Sequence, residues 1–462
     1  MALFVVRHQH AADRCPAQDP CAGAELLNRL SRPNVLRYGV RIQGEAVVRG
    51  EHTMYLIVEA DDEAGLRDVM QPFGTVGTVD VYPAATCAQV VAAGGCAESI
   101  ESEPESVDPE EACQQAIEAG LVLHRAHPLN CETSIPALIC GTVMPNAHFY
   151  VRNHFHIPAL RADTYRLMVG GLVGRPLHLS LHDLQMMPSA TAVVTMECAG
   201  NGRRRFDPPM EGEPWSLGAV STAEWTGVPL REVLWRAGVQ SRARELVFRG
   251  ADGGVVQGRP EAIRFERSLE LENAVLDDTL LAYAMNGEAL PRQHGFPLRL
   301  VVPGWYGVAS VKWLTAIELV EEPFRGHYQV DKYWYEWERR GSLVREPVTR
   351  QRVRALITEP GDNAIVQRGE LAIRGVAWSG KAPIARVEVG IGDDWREARP
   401  VGEARSHAWQ WWELITHLDA PGIVNLSARA TDVDGMTQPE RAEWNRLGYG
   451  NNSIQRLTIT IA

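Results

Sequence analysis

The chain has 462 residues, 45% apolar and 23% charged, the balance of a soluble globular protein with room for two to four domains. Its 46 basic and 58 acidic side chains leave a formal net charge of −12, which argues against a nucleic-acid or acidic-membrane partner because such a surface repels phosphate. No apolar run reaches the roughly 18 residues of a membrane helix, and residues 2–6 are too few for a signal-peptide core, so a cytoplasmic protein with reduced cysteines is expected.

Residues 1–97 read as a separate α/β module. Strands are predicted at 3–6, 46–48, 54–58 and 78–82, and helices at 24–30, ended by Pro33, and at 63–70. The order βαββαβ predicts a small ferredoxin-like domain, without a motif that names an activity. Seven of the eight cysteines precede residue 141. His8, His10, Cys15 and Cys21 are close enough to suggest a soft-metal site, with His8 and His10 able to share a strand face. Their spacing fits none of the usual zinc patterns, and unrelated surface and core residues are the competing reading. Residues 98–127 read as a linker. Its first part, 98–112, is rich in Glu, Ser and Pro, and a short helix is expected at 113–124.

The second module, 128–348, mixes strands and helices. Residues 192–195 are a β-rich apolar run that continues into Met196-Glu197-Cys198 and then breaks into Ala199-Gly200-Asn201-Gly202 and Arg203, Arg204 and Arg205. A strand ending there puts Ala192, Val194, Met196 and Cys198 on one face. Cys198 would sit at the strand tip, beside glycine backbone that can approach a ligand closely. The nearby guanidinium groups would lower its thiol pKa and attract an anion. A buried cysteine beside a solvated basic turn accounts for the same residues. Further along, a helix at 231–237 is closed by Gly238, and a buried strand is expected at 298–302. From residue 349 to 462 the texture changes to short strands, at 353–357, 371–376, 384–389, 423–430 and 457–461. Turns separate them, which predicts an immunoglobulin-like β-sandwich. The fold class read from the whole chain is α+β.

Five segments together resemble the sulfite oxidase family of molybdenum enzymes. They are Tyr150-Val151-Arg152-Asn153-His154, Glu197-Cys198-Ala199-Gly200-Asn201-Gly202-Arg203, Thr222-Ala223-Glu224-Trp225-Thr226-Gly227-Val228-Pro229-Leu230, His294-Gly295-Phe296-Pro297-Leu298-Arg299 and Val311-Lys312-Trp313. They occur in the family's order, and the resemblance spans the second and third modules. It implies one molybdopterin, with Cys198 as the protein's only ligand to molybdenum; a soft thiolate suits a metal already held by dithiolene sulfurs. It also implies that Tyr150, Arg152, Asn153, His154, Asp252, His294, Arg299, Ser310 and Lys312 grip the pterin and its phosphate. For the substrate pocket it implies Arg152, Arg203 and the wall residue Trp215. Tyr333 falls where the family has a tyrosine bonded to the reactive oxo group. Arg446 is the candidate third basic contact, displaced by one residue. Leu447 holds the position where animal sulfite oxidases carry an arginine, and a one-residue shift on a strand reverses a side chain's direction.

The expected activity is oxygen-atom transfer to or from a small oxyanion, with sulfite oxidation first. An external electron-transfer partner is expected, and so is a homodimer formed through the C-terminal sandwich. Nitrate reduction, S- or N-oxide reduction, and a non-catalytic cofactor-binding or redox-sensing protein are the alternatives. Gly375-Val376-Ala377-Trp378-Ser379-Gly380-Lys381-Ala382 nearly fits a phosphate loop, but Ala382 lacks the hydroxyl for magnesium and no helix is predicted after it.

Overall fold

The computed structural model describes residues 2–12, 15–16, 19–48, 50–61, 63–84, 86, 109–276 and 278–462, without the side chains of residues 20, 21, 25, 63, 109, 139, 140, 275 and 276. The chain divides into two compact units, Met1–Ser99 and Ile100–Ala462.

In the first unit, strand β1 (Ala2–Gln9) leads to helix α1 (Pro20–Leu30), and strands β2 (Val40–Val48) and β3 (Thr53–Ala60) form a hairpin. Helix α2 (Glu63–Gly74) and strand β4 (Thr78–Ala84) complete it. The sheet order is β2-β3-β1-β4, every neighbour antiparallel. Pro33 ends no helix. It sits in the first turn of a second short helix, Arg32–Val35, where its missing N–H costs nothing. Phe4 and Val6 of β1 point into a core with Leu56, Val58, Leu66, Val69, Met70 and Phe73. His8 is buried on the same face, as the two-residue strand period requires.

The second unit begins its described part with helix Pro109–Glu118, so the helix starts inside the stretch expected as linker and ends before His124. Gly120, at φ 77°, closes it, and Leu121 donates back to the Ala116 carbonyl at 3.0 Å. The chain is then free to run as a strand, Val122–Arg125, paired with Asn130–Glu132 and through it with Val151–Arg152. Two five-stranded sheets follow. One joins Ala190–Glu197, Val220–Pro229, Leu280–Met285, Glu288–Ala289 and Arg299–Val301; the other joins Leu167–Gly171, Leu177–Leu179, Glu245–Gly254, Ile263–Glu270 and Leu314–Val320. Helix Leu230–Ala237 is closed by Gly238 at φ 69°. Among the described residues no helix is long and apolar enough to cross a membrane.

The C-terminal region is all strand. It contains the five expected strands, the short Ile365–Val366, and two that sequence reading missed, Asp394–Val401 and Gln410–Leu418. Residues 375–378 of the near phosphate loop lie within the strand Gly369–Trp378. Side chains of seven of these strands, among them Ile357, Ile373, Val389, Ala398, Trp412, Leu426 and Ile459, meet in one core.

This region is built onto the strand that carries Cys198. Leu356, Val376, Trp378 and Trp409 pack with Leu138, Met144, Leu217 and Val220 in a shared apolar cluster. Thr195 receives a bond from the Trp409 amide on its Oγ1 at 2.7 Å and one from Gln351 Nε2 on its carbonyl at 3.0 Å. Glu197 and Arg354 form an ion pair at 2.7 Å, 3% and 1% exposed at their side chains. Trp378 Nε1 donates to the second Glu197 oxygen at 3.0 Å. Removing one member of a buried pair strands the other, at about 3–5 kcal/mol. Arg354→Leu should therefore lower the urea unfolding free energy by about that amount, and adding Glu197→Gln should recover part of it. An unchanged midpoint in Arg354→Leu would show that the pair carries no weight.

Candidate active site

The strand Ala190–Glu197 runs antiparallel to Val220–Pro229 and ends one residue before Cys198, whose amide donates to the Ala219 carbonyl at 2.9 Å. Val194, Met196 and Cys198 are buried in one cluster with Ala192 against it, so the alternation read from the sequence is the arrangement found. After Cys198 the chain folds back on itself. Asn201 N bonds the Cys198 carbonyl at 2.9 Å, and Gly202 turns the backbone at φ 80° into the one-turn helix Arg203–Arg205. Asn201 Nδ2 donates to Glu197 at 3.0 Å while its Oδ1 accepts from the Ala219 amide at 3.2 Å, which ties both ends of the turn to the strand.

Cys198 opens onto a cleft. Its walls include Tyr150, Arg152, Asn153, His154, Asp252, His294, Arg299, Ser310, Lys312 and Tyr333, together with Phe149, Met196, Phe265, Val308 and Trp313. Gly307 lets the walls approach: a Cβ there would stand 2.7 Å from the Tyr150 hydroxyl and 3.1 Å from Met196 Cγ. Asn130 Oδ1 accepts from the Asn153 amide at 2.8 Å and from Arg152 Nη1 at 3.3 Å, which fixes the wall strand Val151–Arg152. Lys312 Nζ donates to the Gln293 carbonyl at 2.7 Å and also to Asn153 Oδ1. The Tyr333 hydroxyl lies 2.6 Å from His154 Nε2, and its ring stacks on Tyr449 with centroids 4.9 Å apart.

Three expected pocket residues stand outside the lining. Arg203 lies behind it. Its guanidinium donates to the carbonyls of Glu213 and Gly448 at 3.1 and 3.2 Å, and it sits over the Tyr449 ring, 5.1 Å from the centroid. Trp215 is fully buried in the Cys198 cluster, edge-on to His124 with centroids 5.0 Å apart. Arg446 points to the surface: its side chain is 62% exposed and bonds Glu336 at 2.5 Å, a buried carboxylate that Arg345 also pairs at 2.9 Å. That carboxylate holds Arg446 away from the cleft, so the expected third basic contact is not made by this residue. Sequence reading missed Arg267. It is buried, sits over the Tyr333 ring at 5.7 Å and donates to the Tyr328 carbonyl. The signal was available, since Phe265, Arg267 and Leu269 share one face of the strand Ile263–Glu270 and an arginine interrupts that apolar face.

The electrostatics are those of a site built for an anion. Burial pushes the pKa of Arg299 down to about 10. Burial first, then the Arg299 charge, lowers that of Lys312. Burial, with Lys312 and Arg299 beside it, lowers that of His294. Asp252 is raised to about 6 by burial, with Lys312 opposing. The expectation for Cys198 is reversed: burial raises its thiol pKa, and the opposing pull of Arg152 and Arg203 is smaller. Asn153 Nδ2, Asp252 Oδ1, His294 Nε2 and Arg299 Nε are each buried with no protein partner. Buried polar atoms are nearly always bonded, so four orphans on side chains that line one cationic cleft mark it as a place for a bound polar group.

Residues 154–328 match the oxidoreductase molybdopterin binding domain, 345–462 the Mo-co oxidoreductase dimerisation domain, and 2–97 a domain of unknown function (DUF3303). The mitochondrial sulfite oxidase of Rattus norvegicus is 32% identical, with 84% of this chain and 80% of that one covered. The chain belongs to the sulfite oxidase family. The sulfite oxidase of Gallus gallus is 34% identical, covering 73% of this chain and 77% of that one. Among solved structures, the sulfane dehydrogenase SoxCD from Paracoccus pantotrophus superposes with a TM-score of 0.65 at 30% identity, over 78% of this chain and 92% of that one. As a member, this chain is a molybdopterin-dependent oxidoreductase with a mixed sulfite-oxidase-type fold. The residues present fit its cofactor. A thiol stands at the strand tip, cations line one cleft, and four side chains of its walls carry unpaired polar atoms. Relieving Lys312 of its charge should weaken cofactor retention about tenfold or more, the worth of a hydrogen bond to a charged group. Pterin and molybdenum content of purified Lys312→Met reads this directly, and content equal to wild type would show that Lys312 does not hold the cofactor.

Proposed function

We propose that this protein oxidises sulfite, and that the cleft beside Cys198 is where it does so. The observation that supports this reading is the convergence of Cys198, Arg152, His294, Arg299, Lys312 and Tyr333 on a single cleft whose buried polar atoms lack partners. Cys198 would hold molybdenum. Its thiol, kept protonated by burial in the bare protein, loses its proton to solvent on metal binding. Tyr150, Asn153, His154, Asp252, His294, Arg299, Ser310 and Lys312 would hold the pterin and its phosphate through charged and hydrogen-bonded contacts. When bound, the cofactor supplies two-electron oxygen-atom transfer, by which sulfite and water give sulfate, two protons and two electrons for an external acceptor.

The chain's own part is to bind and orient the anion. Arg152 offers the charge that lines the cleft. Arg203, held by backbone carbonyls and seated on Tyr449, adds positive potential from behind. Burial raises the Tyr333 pKa, so its hydroxyl stays protonated and can donate to a substrate oxygen. His154 is kept neutral chiefly by burial and then by Arg152, and as the Nε2–H tautomer it would donate to the Tyr333 oxygen at 2.6 Å, which leaves the phenolic proton for the substrate. Trp215 does not line the cleft and contributes as a core residue of the Cys198 cluster.

We further propose the finer architecture: a ferredoxin-like first domain (1–97), a catalytic domain whose described part begins with the helix Pro109–Glu118 rather than at the end of a linker at 127 and runs to residue 348, and an immunoglobulin-like sandwich (349–462) that mediates a homodimer. Ile365 and Ile423 support the dimer face. Both are paired in register with Thr460, and they are 74% and 75% exposed. The free thiols of Cys113, Cys131 and Cys198 support a cytoplasmic location.

Cys198→Ser should give a folded protein without sulfite turnover in a dye-coupled assay, because a serine oxygen is a harder, poorer partner for this metal; normal turnover would refute the ligand assignment. Arg203→Gln should raise KM for sulfite at near wild-type molybdenum content, because the positive potential behind the cleft is lost, while Arg446→Gln should leave KM unchanged. The reverse pattern would move the anion contact to the C-terminal region, and no change in either would remove an oxyanion as substrate. Ile365→Asp combined with Ile423→Asp should shift sedimentation from dimer to monomer, and an intact dimer would exclude this face.

A further inference from the structure

The first unit carries a cluster that the cleft does not use. His10 follows β1, Cys15 lies in the segment before α1, and His52 ends the turn of the β2–β3 hairpin. One ligating atom from each lies within 4.8 Å of the other two. The three sites are drawn together by the backbone. His10 N bonds the His52 carbonyl at 3.2 Å, and His52 holds a left-handed φ of 52°, uncommon for a residue with a side chain. Its ring then meets His10 edge-on, with centroids 5.5 Å apart.

A chain of hydrogen bonds decides which nitrogen of His10 is free. The Thr78 carbonyl can only accept, so His8 Nδ1, 3.1 Å away, must donate to it. Neutral His8 then has its lone pair on Nε2, which accepts from His10 Nδ1 at 3.1 Å. Neutral His10 is left with a lone pair on Nε2, and that atom is buried with no protein partner. An imidazole whose far nitrogen donates into a fixed acceptor is the arrangement that orients a metal ligand.

We propose that His10, Cys15 and His52 bind a zinc-class transition-metal ion, with His8 as a positioning residue and a fourth coordination position left open. Two imidazoles and a thiolate suit a borderline-to-soft cation rather than calcium or magnesium. Donors around one zinc at about 2.0–2.3 Å stand roughly 3.3–3.8 Å apart, so the cluster closes by about 1 Å on binding. His10, Cys15 and His52 line one groove with Leu26, Leu27, Leu30, Val47, Met54 and Phe73, so the fourth position would be open to water or a small apolar ligand. The cluster differs from the set suggested by sequence spacing. His52 joins from a distant hairpin, His8 is spent on hydrogen bonds, and the Cys21 side chain lies outside the described residues.

The test is a titration of the chelator-treated, full-length protein with Co²⁺, an optically visible stand-in for zinc. A thiolate-to-cobalt charge-transfer band should saturate at one equivalent and vanish on adding one equivalent of Zn²⁺. Cys15→Ala should abolish the band while molybdenum content and sulfite turnover stay at wild-type values. His52→Ala should weaken binding at least tenfold. His8→Leu should weaken it about 10–100-fold, the usual cost of removing a ligand's orienting partner. His8→Gln should keep most of the affinity, because its amide can both donate to Thr78 and accept from His10. A wild-type protein without the band, a band that survives Cys15→Ala, or saturation only at large excess and alike in all variants would overturn the site.

Discussion

Glu197 accepts from Arg354 at 2.7 Å, from Trp378 at 3.0 Å and from Asn201 at 3.0 Å in a place that water does not reach. Taking two charges out of water costs several kcal/mol each, and only good geometry with further hydrogen bonds offsets it. These bonds therefore permit few alternative positions for the end of the strand Ala190–Glu197. Cys198 is the next residue, and its amide is already spent on Ala219. The orientation of the thiol is thus set by a carboxylate that faces away from the cleft and by an arginine from the C-terminal region. The cationic walls could not converge on the thiol if this strand end were free to move.

The same dryness explains a reversal. Arginines near a cysteine in sequence suggest a lowered thiol pKa, because Coulomb attraction favours the thiolate. In the folded chain desolvation acts on the same thiol and is the larger effect, so the pKa rises. The arginines do not act as activators of a free nucleophile. On the proposed reading of Cys198 as a ligand, the charge of the bound metal would remove its proton. Lys312, Arg299 and His294 follow the parallel logic with opposite sign: burial disfavours their charged forms until an anion enters.

What was legible in the sequence was what is local. The two-residue period of a strand places Ala192, Val194, Met196 and Cys198 together from spacing alone, and the ordered segments around Arg152, Cys198, His294 and Lys312 lead to one cleft. What was illegible depends on distant partners. Arg446 turns outward because Glu336, 110 residues earlier, claims it. His52 reaches His10 only because β3 pairs with β1. The strand Asp394–Val401 buries a single side chain, Ala398, so no apolar alternation announces it. The helix expected at 113–124 ends at Glu118 because Gly120 stops it, a signal that the sequence did carry.

Tyr449 belongs to the C-terminal region, yet its ring is the floor on which both Tyr333 and Arg203 rest. The carbonyl of Gly448 beside it holds the same arginine. Matched as separate families, the two regions invite treatment as interchangeable parts in the evolution of new enzymes. Their shared residues oppose that. A C-terminal region without Arg354 and Tyr449 would remove the partner of Glu197 and the ring under Tyr333 together. The boundary near residue 350 thus divides the sequence but not the packing that supports Cys198 and Tyr333.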